Sequence, residues 1–222
     1  MKLIEKYLSK IDLDNLKSYG GYNWINPYIK EVPLKNVMQL SFNSLYPNII
    51  CGIVESGLHK STSCSDGFKK SLESFKEKFE YFDFNKSNLK LTNPSKYSEL
   101  KRGINSFYGQ LGLLSKADMV PNYPGFVTEY LRHYYDDLLS KNSGMILYID
   151  TDTIFYVGEI DLLEFNIPYY IEHIDYIIFS RIKQYVMQKD EMITRGYHKN
   201  AQESIDILRR YIRNDKIEEL GI

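Results

Sequence analysis

Residues 145–157 read MILYIDTDTIFYV, and this stretch decides the fold. Met145–Ile149 and Thr153–Val157 are apolar runs of strand length, and Asp150-Thr151-Asp152 sits between them. Side chains alternate along an extended chain, so Asp150 and Asp152, two apart, share a face. Two carboxylates at the tip of a buried hairpin repel each other, and a divalent cation is what most readily neutralises them. Magnesium is a hard ion, commonly held by one or two carboxylates plus substrate phosphate oxygens. Such a pair suits two-metal phosphoryl transfer, in which one ion activates the attacking hydroxyl and the other steadies the leaving group. An ordinary acidic turn is the competing reading of the tripeptide taken alone.

Upstream of the hairpin the pattern is mostly helical. Leu3, Ile4, Tyr7, Leu8 and Ile11 recur at helical spacing over residues 2–17. Residues 28–42 read as a β-hairpin turning at Pro33, with Val37–Phe42 as its second arm. Pro47 fits the first turn of a helix running to Val54. Residues 67–81 form a Lys/Glu-rich helix with Phe68, Leu72, Phe75 and Phe79 on one face, and 83–93 read as irregular. Asn93-Pro94-Ser95 opens a helix to about Leu114, and another covers about 125–140. Downstream, strands are expected near 169–179, 182–188 and 191–197, then a basic helix over 200–213. The interleaving of helices with antiparallel hairpins favours the α+β class.

Composition narrows the function classes. The chain has 28 Lys and Arg against 29 Asp and Glu, a net charge of -1, which excludes a uniformly basic nucleic-acid coat and leaves room for a local basic groove. Cys51 and Cys64 form neither a zinc pattern nor a disulfide framework and read as free thiols. No run approaches the roughly 20 apolar residues of a membrane span, and MKLIEKYLSK lacks the apolar core of a signal peptide. An intracellular protein without a membrane partner is expected.

Three stretches, in order, carry a resemblance. Ser44-Leu45-Tyr46-Pro47-Asn48-Ile49-Ile50 is similar to motif A of family B DNA polymerases. Lys101 through Gly109, with Lys101 four residues before Asn105-Ser106-Phe107-Tyr108-Gly109, is similar to motif B. Tyr148-Ile149-Asp150-Thr151-Asp152 is similar to motif C. Flanking pieces agree. Tyr19-Gly20-Gly21 resembles the Tyr-x-Gly-Gly element that joins exonuclease and polymerase regions. Tyr22-Asn23-Trp24-Ile25-Asn26 resembles its continuation in the protein-primed branch of phages and linear plasmids. Lys183-Gln184-Tyr185 resembles the primer-gripping Lys-x-Tyr element, and Thr194-Arg195-Gly196 the stretch leading into the thumb.

The resemblance implies a polymerase palm: an antiparallel sheet backed by helices, with a short two-helix fingers insertion. It implies an N-terminal palm part with motif A over 1–55, reduced fingers over 56–100, a palm with motifs B and C over 101–200, and the start of a thumb or a C-terminal helix over 201–222. Asp150 and Asp152 would hold Mg²⁺ or Mn²⁺. Lys101 would contact the phosphates of an incoming dNTP, where a cation offsets charge building on the leaving group. Asn105 would share that helix face, and Tyr108 would lie against the nascent base pair. Tyr46 would be the steric gate against a 2′-hydroxyl. Tyr19, Gly20, Gly21, Lys183, Tyr185 and Arg195 would hold primer-template DNA, the last with a contribution from Arg209, Arg210 and Arg213. A phage or plasmid source implies the host cytoplasm or a mitochondrion.

The sequence departs from the family at one catalytic position. Motif A carries an aspartate three residues before its Ser-Leu-Tyr-Pro, and here that position is Ser41. In the family this aspartate bridges both metals. No acidic residue lies between Lys35 and Glu55, and Asn43 offers a carbonyl oxygen without charge. Weak or absent nucleotidyl transfer is expected. The 18 residues before Tyr19 leave no space for a proofreading exonuclease domain, and the chain ends with the thumb truncated, so an exonuclease- or thumb-bearing chain or a terminal protein is an expected partner. A degenerate palm that binds DNA, nucleotide or a replication partner is the alternative, and a decaying gene fragment a third reading.

Overall fold

The computed structural model describes residues 20–57, 65–116, 122–163, 167–196 and 201–219, with Tyr7, Ile11 and Leu16 ahead of them. Its helices are α1 (Leu45–Glu55), α2 (Asp66–Thr92), α3 (Pro94–Lys116), α4 (Tyr123–Lys141) and α5 (Gln202–Glu219). Its strands are β1 (Asn23–Ile25), β2 (Pro33–Phe42), β3 (Ile146–Asp150), β4 (Thr153–Tyr156), β5 (Tyr169–Arg181), β6 (Gln184–Gln188) and β7 (Met192–Arg195). Contacts divide the chain into two compact units: residues 1–20, 44–134 and 164–167, and residues 21–43, 135–163 and 168–222. No helix among the described residues is long and apolar enough to cross a membrane.

The second unit is built on one seven-stranded sheet in the order β1-β3-β4-β2-β5-β6-β7, with every neighbouring pair antiparallel. The α+β class, an antiparallel sheet with helices, is the one expected. Tyr148, Phe155, Phe179 and Tyr185 fill one face of the sheet together with Val37, Ile174, Ile177 and Met187. Strict alternation fails in the first half of β2. Val37 and Leu34 both pack on that cluster although three residues separate them, as do Ile174 and Ile177 on the facing strand. Asn36 has φ +55 and absorbs the offset, which is why the region does not read as one strand. The expected turn at Pro33 is replaced by a single ten-residue strand that begins there. Proline is tolerated at a first strand position because no ladder donor is needed.

Helix α5 covers the opposite face. Val186 follows Tyr185 in β6 and so points the other way. It packs with Ile178 and the fully buried Leu208 of α5. The helix is fastened by Asp215, which accepts hydrogen bonds from Lys35 Nζ at 2.6 Å and Tyr176 OH at 3.0 Å.

The first unit is helical. Asn93 caps α3, its Oδ1 accepting from Lys96 N–H at 3.0 Å, and Pro94 takes the first helical position. Helices α2 and α3 therefore reverse on a single residue and stack Phe75 on Phe107 with centroids 4.3 Å apart. The irregular segment expected at 83–93 is helix instead. Phe82 and Leu89 continue the buried stripe of Phe75 and Phe79, and that burial outweighs the weak helix propensity of the Asn/Ser/Lys-rich run. Cys51 is a buried free thiol, pushed up to about 12 by burial and then by Glu80. Cys64 and most of the expected 2–17 helix lie outside the described residues, although Tyr7 is helical and buried against Tyr130.

The Lys35 hydrogen bond, chiefly, holds the Asp215 carboxyl below the usual carboxylate range. A lowered folded value stabilises the protein fully above the ordinary carboxylate range, and that contribution is lost as pH falls through the folded value. Asp215→Asn is therefore expected to speed hydrogen exchange along α5 at neutral pH, and to leave exchange little changed in acid where wild type has already lost the interaction. Equal exchange at neutral pH would show that α5 is held by its apolar contacts alone.

Candidate functional site

The two carboxylates stand on a strained turn. Asp150 ends β3, and the Asp152 N–H donates to the Asp150 carbonyl at 2.7 Å, closing a γ-turn around Thr151. Thr151 has φ +59, a left-handed conformation that a β-branched residue rarely adopts. Such backbone strain is of order 1–3 kcal/mol and persists only where the surroundings over-determine it. Here they do. The Thr151 N–H donates to Tyr22 O at 2.8 Å, Tyr135 OH donates to Thr151 O at 2.7 Å, and Phe42 N–H donates to Asp152 O at 2.8 Å. Gly21 closes the fourth side, because a Cβ there would overlap Thr151 Oγ1. Tyr22 is steadied in turn by its OH donating to Asp136 at 2.8 Å.

Strand register sets five polar residues in one row: Asn23, Asp150, Thr153, Ser41 and Tyr170, each directly opposite the next. Ser41, 5% exposed, lies in the middle of it. Its Oγ is 3.4 Å from Thr153 Oγ1 and accepts from Gln39 Nε2 at 3.1 Å. The position expected to carry a third carboxylate is therefore a neutral hydroxyl, next to Thr153, whose Oγ1 in turn donates to the Asp152 carboxylate at 3.4 Å. Asp152 reaches solvent, yet partial desolvation in the turn raises its carboxyl above the ordinary range. Its own N–H lowers it, and the neighbouring Asp150 raises it further.

Among the described residues no three His, Cys, Asp or Glu side chains gather to hold a metal ion. The donors present are two carboxylates from one turn. Asn23, across from Asp150, adds a buried amide oxygen without a hydrogen-bond partner. That set suits one hard cation that completes its shell with phosphate oxygens and water. It lacks the shared carboxylate that would bridge two.

The Lys-x-Tyr element lies in the same unit. Lys183, at φ +63, turns β5 into β6, and its N–H donates to the Tyr148 hydroxyl. Gly196, at φ +71, backs this turn so closely that a Cβ would overlap the Lys183 carbonyl. Tyr185 is 9% exposed, with its ring 5.2 Å from Phe155 and 6.0 Å from Tyr148. It faces Arg195 across the β6–β7 ladder. Burial pushes its hydroxyl up to about 12, Arg195 acts against this, and Asp150 and Asp152 both raise it. Asp150, Asp152 and Arg195 thus all act on the Tyr185 hydroxyl.

In the helical unit Tyr46 stacks on Tyr108 with centroids 5.2 Å apart. Burial raises the Tyr108 hydroxyl, with Tyr46 adding to it. Lys101 is exposed, its Nζ 5.9 Å from the Tyr97 ring centroid, and Asn105 is exposed one turn on. Ser44 caps α1 at φ +52 without a side-chain cap bond. Gly20 has open space around it, and Tyr19 lies outside the described residues. Thr151, Tyr22, Tyr135 and Gly196 complete the site, although no chemistry of their own marks them in the sequence. A glycine pair ahead of an aromatic was the available hint, and it could not name its contact.

The Gly21–Thr151 fit is directly testable. Gly21→Ala should destabilise the protein by about 1–3 kcal/mol, as overpacking does. Thr151→Gly should leave the thermal midpoint unchanged or higher, and the double variant should recover most of the loss. A double variant as unstable as Gly21→Ala would separate the two residues.

No family model and no curated protein matches this chain. Solved structures do. Phi29 DNA polymerase complexed with single-stranded DNA is 14% identical at a TM-score of 0.54, over 92% of this chain and 56% of that one. The same polymerase complexed with primer-template DNA, in a post-translocation binary complex, is 13% identical at 0.54, over 92% and 60%. A family B DNA polymerase from the hyperthermophilic archaeon Pyrobaculum calidifontis is 16% identical at 0.47, over 98% and 37%. The chain spans rather more than half the length of the Phi29 structures it matches. The likeness to them is one of fold: the chain has the α+β, palm-like architecture of a DNA polymerase.

Proposed function

We propose that this chain is the palm and fingers core of a family B DNA polymerase, adding deoxynucleotides to a primer on a DNA template, at a rate curtailed by Ser41. The observation that carries the reading is the acidic γ-turn, held rigid by three backbone ties beside the Lys183-Gln184-Tyr185 turn. Asp150 and Asp152 would hold magnesium or manganese, which when bound supplies charge neutralisation at the reacting phosphate. Lys183 and Arg195 bind primer phosphates, contacts independent of sequence. Lys101 offsets charge on the departing pyrophosphate, Asn105 shares its helix face toward the nucleotide, Tyr46 excludes the 2′-hydroxyl, and Tyr108 lies against the nascent base pair. The stretch from Tyr22 to Asn26 extends the reading to a protein primer on viral or plasmid DNA.

A second reading has its own observation. Ser41 carries no charge and already contacts Thr153 and Gln39, which supports a non-catalytic module that binds primer-template DNA or nucleotide. Primer extension with Mg²⁺ and with Mn²⁺ separates the two. Loss of one preorganised charged group costs roughly 10²–10³ in rate. Ser41→Asp should therefore raise extension by at least about 10²-fold, and Asp152→Ala should abolish it. Robust wild-type extension that Ser41→Asp does not improve would overturn the impairment. No extension by either form, with primer-template still bound, would favour the module.

Metal occupancy has a readout besides activity. Millimolar Mn²⁺ should raise the thermal midpoint of the wild type, because it relieves the Asp150–Asp152 repulsion. Asp152→Asn should raise the midpoint in metal-free buffer and remove the Mn²⁺ response. A metal response that survives Asp152→Asn would place the ion elsewhere.

A further inference from the structure

The face of the sheet under α5 holds a pocket of about 750 Å³ that no step of nucleotidyl transfer uses. It lies away from the carboxylates, since Val186 and Tyr185 point to opposite faces and Tyr185 belongs to the aromatic cluster beneath Asp150. Lys189, at the far end of β6 from Lys183, is roughly 20 Å away along the strand at about 3.4 Å per residue.

Four cations line the pocket, Lys189, Arg209, Arg213 and Lys216, against one carboxylate, Asp175. Lys189 is paired with Glu172 at 3.0 Å, Arg209 is 4.0 Å from Asp206, and Asp175 is 3.3 Å from His173. Arg213 and Lys216 pair with no carboxylate among the described residues. A solvated basic face is the ordinary fate of such side chains. Two features separate this one. The cations border a concave surface whose apolar part is Tyr176, Met192 and Ile212. They also form a line: Arg209, Arg213 and Lys216 are spaced four and three apart on one helix face, spanning about 10 Å at about 1.5 Å per residue. A compact anion needs converging donors, whereas a line of cations matches the repeated charge of a polymer. We infer that this pocket binds a single nucleic-acid strand, with phosphates along Arg209, Arg213 and Lys216 and a base against Tyr176, Met192 and Ile212. Apolar and aromatic surfaces accept any base, so the site is indifferent to sequence.

The test uses the full chain carrying Asp152→Asn, in metal-free buffer, so that failure of the polymerase reading leaves the result intact. Anisotropy of a labelled oligothymidylate is followed from about 50 to 200 mM salt. The double substitution Arg213→Ala/Lys216→Ala should weaken binding at least fivefold at low salt. It should also flatten the log–log salt slope by about 1.4, two single-strand contacts at about 0.7 each. The swap Arg213→Lys/Lys216→Arg should keep both, and Lys78→Ala, at an exposed lysine of α2 outside the pocket, should change neither. Thermal midpoints verify that each variant is folded. Unchanged affinity and slope in the double substitution would overturn the site, and so would an equal loss in Lys78→Ala. Inorganic tripolyphosphate competing as well as the oligonucleotide, phosphate for phosphate, would overturn the strand in favour of a compact polyphosphate.

Discussion

The second unit is organised around the left-handed backbone of Thr151. A γ-turn is the shortest way to reverse β3 into β4, and it leaves Asp150 and Asp152 on successive corners with little backbone between them. Left alone it would relax, since its strain is of order 1–3 kcal/mol and two carboxylates push it open. Three separate segments oppose that: Tyr22 on the N-terminal side, Phe42 at the end of β2, and Tyr135 on α4. Each such hydrogen bond contributes about 0.5–1.5 kcal/mol net, enough together to outweigh the strain. The ties also explain why a glycine must precede Tyr22, because the strand that supplies the Tyr22 carbonyl runs directly against the Thr151 side chain.

The same geometry makes the charge at residue 41 consequential. Ser41 is directly opposite Thr153, which is directly opposite Asp150, so an acid there would be a third carboxylate in one row of a sheet. With a hydroxyl instead, residue 41 meets the neutral Thr153 and Gln39 side chains, and the metal-free protein is spared one buried repulsion. Under the proposed function the same change removes preorganised charge from the site, and a stability gain at the expense of activity is the usual trade at such positions.

Much of this architecture was legible in the chain. Apolar runs on both sides of Asp150-Thr151-Asp152 are a local signal, and the hairpin formed where they placed it. Pro47 and Pro94 mark helix starts for reasons internal to one turn of chain, and both helices formed. What failed to show was non-local or conformational. The second half of α2 is helical because Phe82 and Leu89 are buried, not because Asn85 and Ser87 favour it. The bend in β2 comes from φ at Asn36, which no periodicity displays. Motif resemblance singles out Gly21 and Tyr185. Their surroundings, the Thr151 side chain for one and an aromatic core for the other, come from strands distant in sequence. A motif names the residue and leaves its neighbours unspecified.

A nearly neutral chain can still present strong local fields, because what matters is how charge is divided between surfaces. Here the two faces of one sheet differ sharply. One carries Asp150 and, around Tyr185, the opposed influences of Arg195 and of the two carboxylates. The other is overlaid by α5, whose inner side is apolar and whose rim toward β6 is cationic. The Lys35–Asp215–Tyr176 contact is what permits both properties in one helix. It consumes the acidic residue just before Lys216 as an anchor, so that residue cannot neutralise its basic neighbours. Packing and electrostatics on that face are therefore one device: the carboxylate that fastens the helix to the sheet is also the one withheld from the basic row.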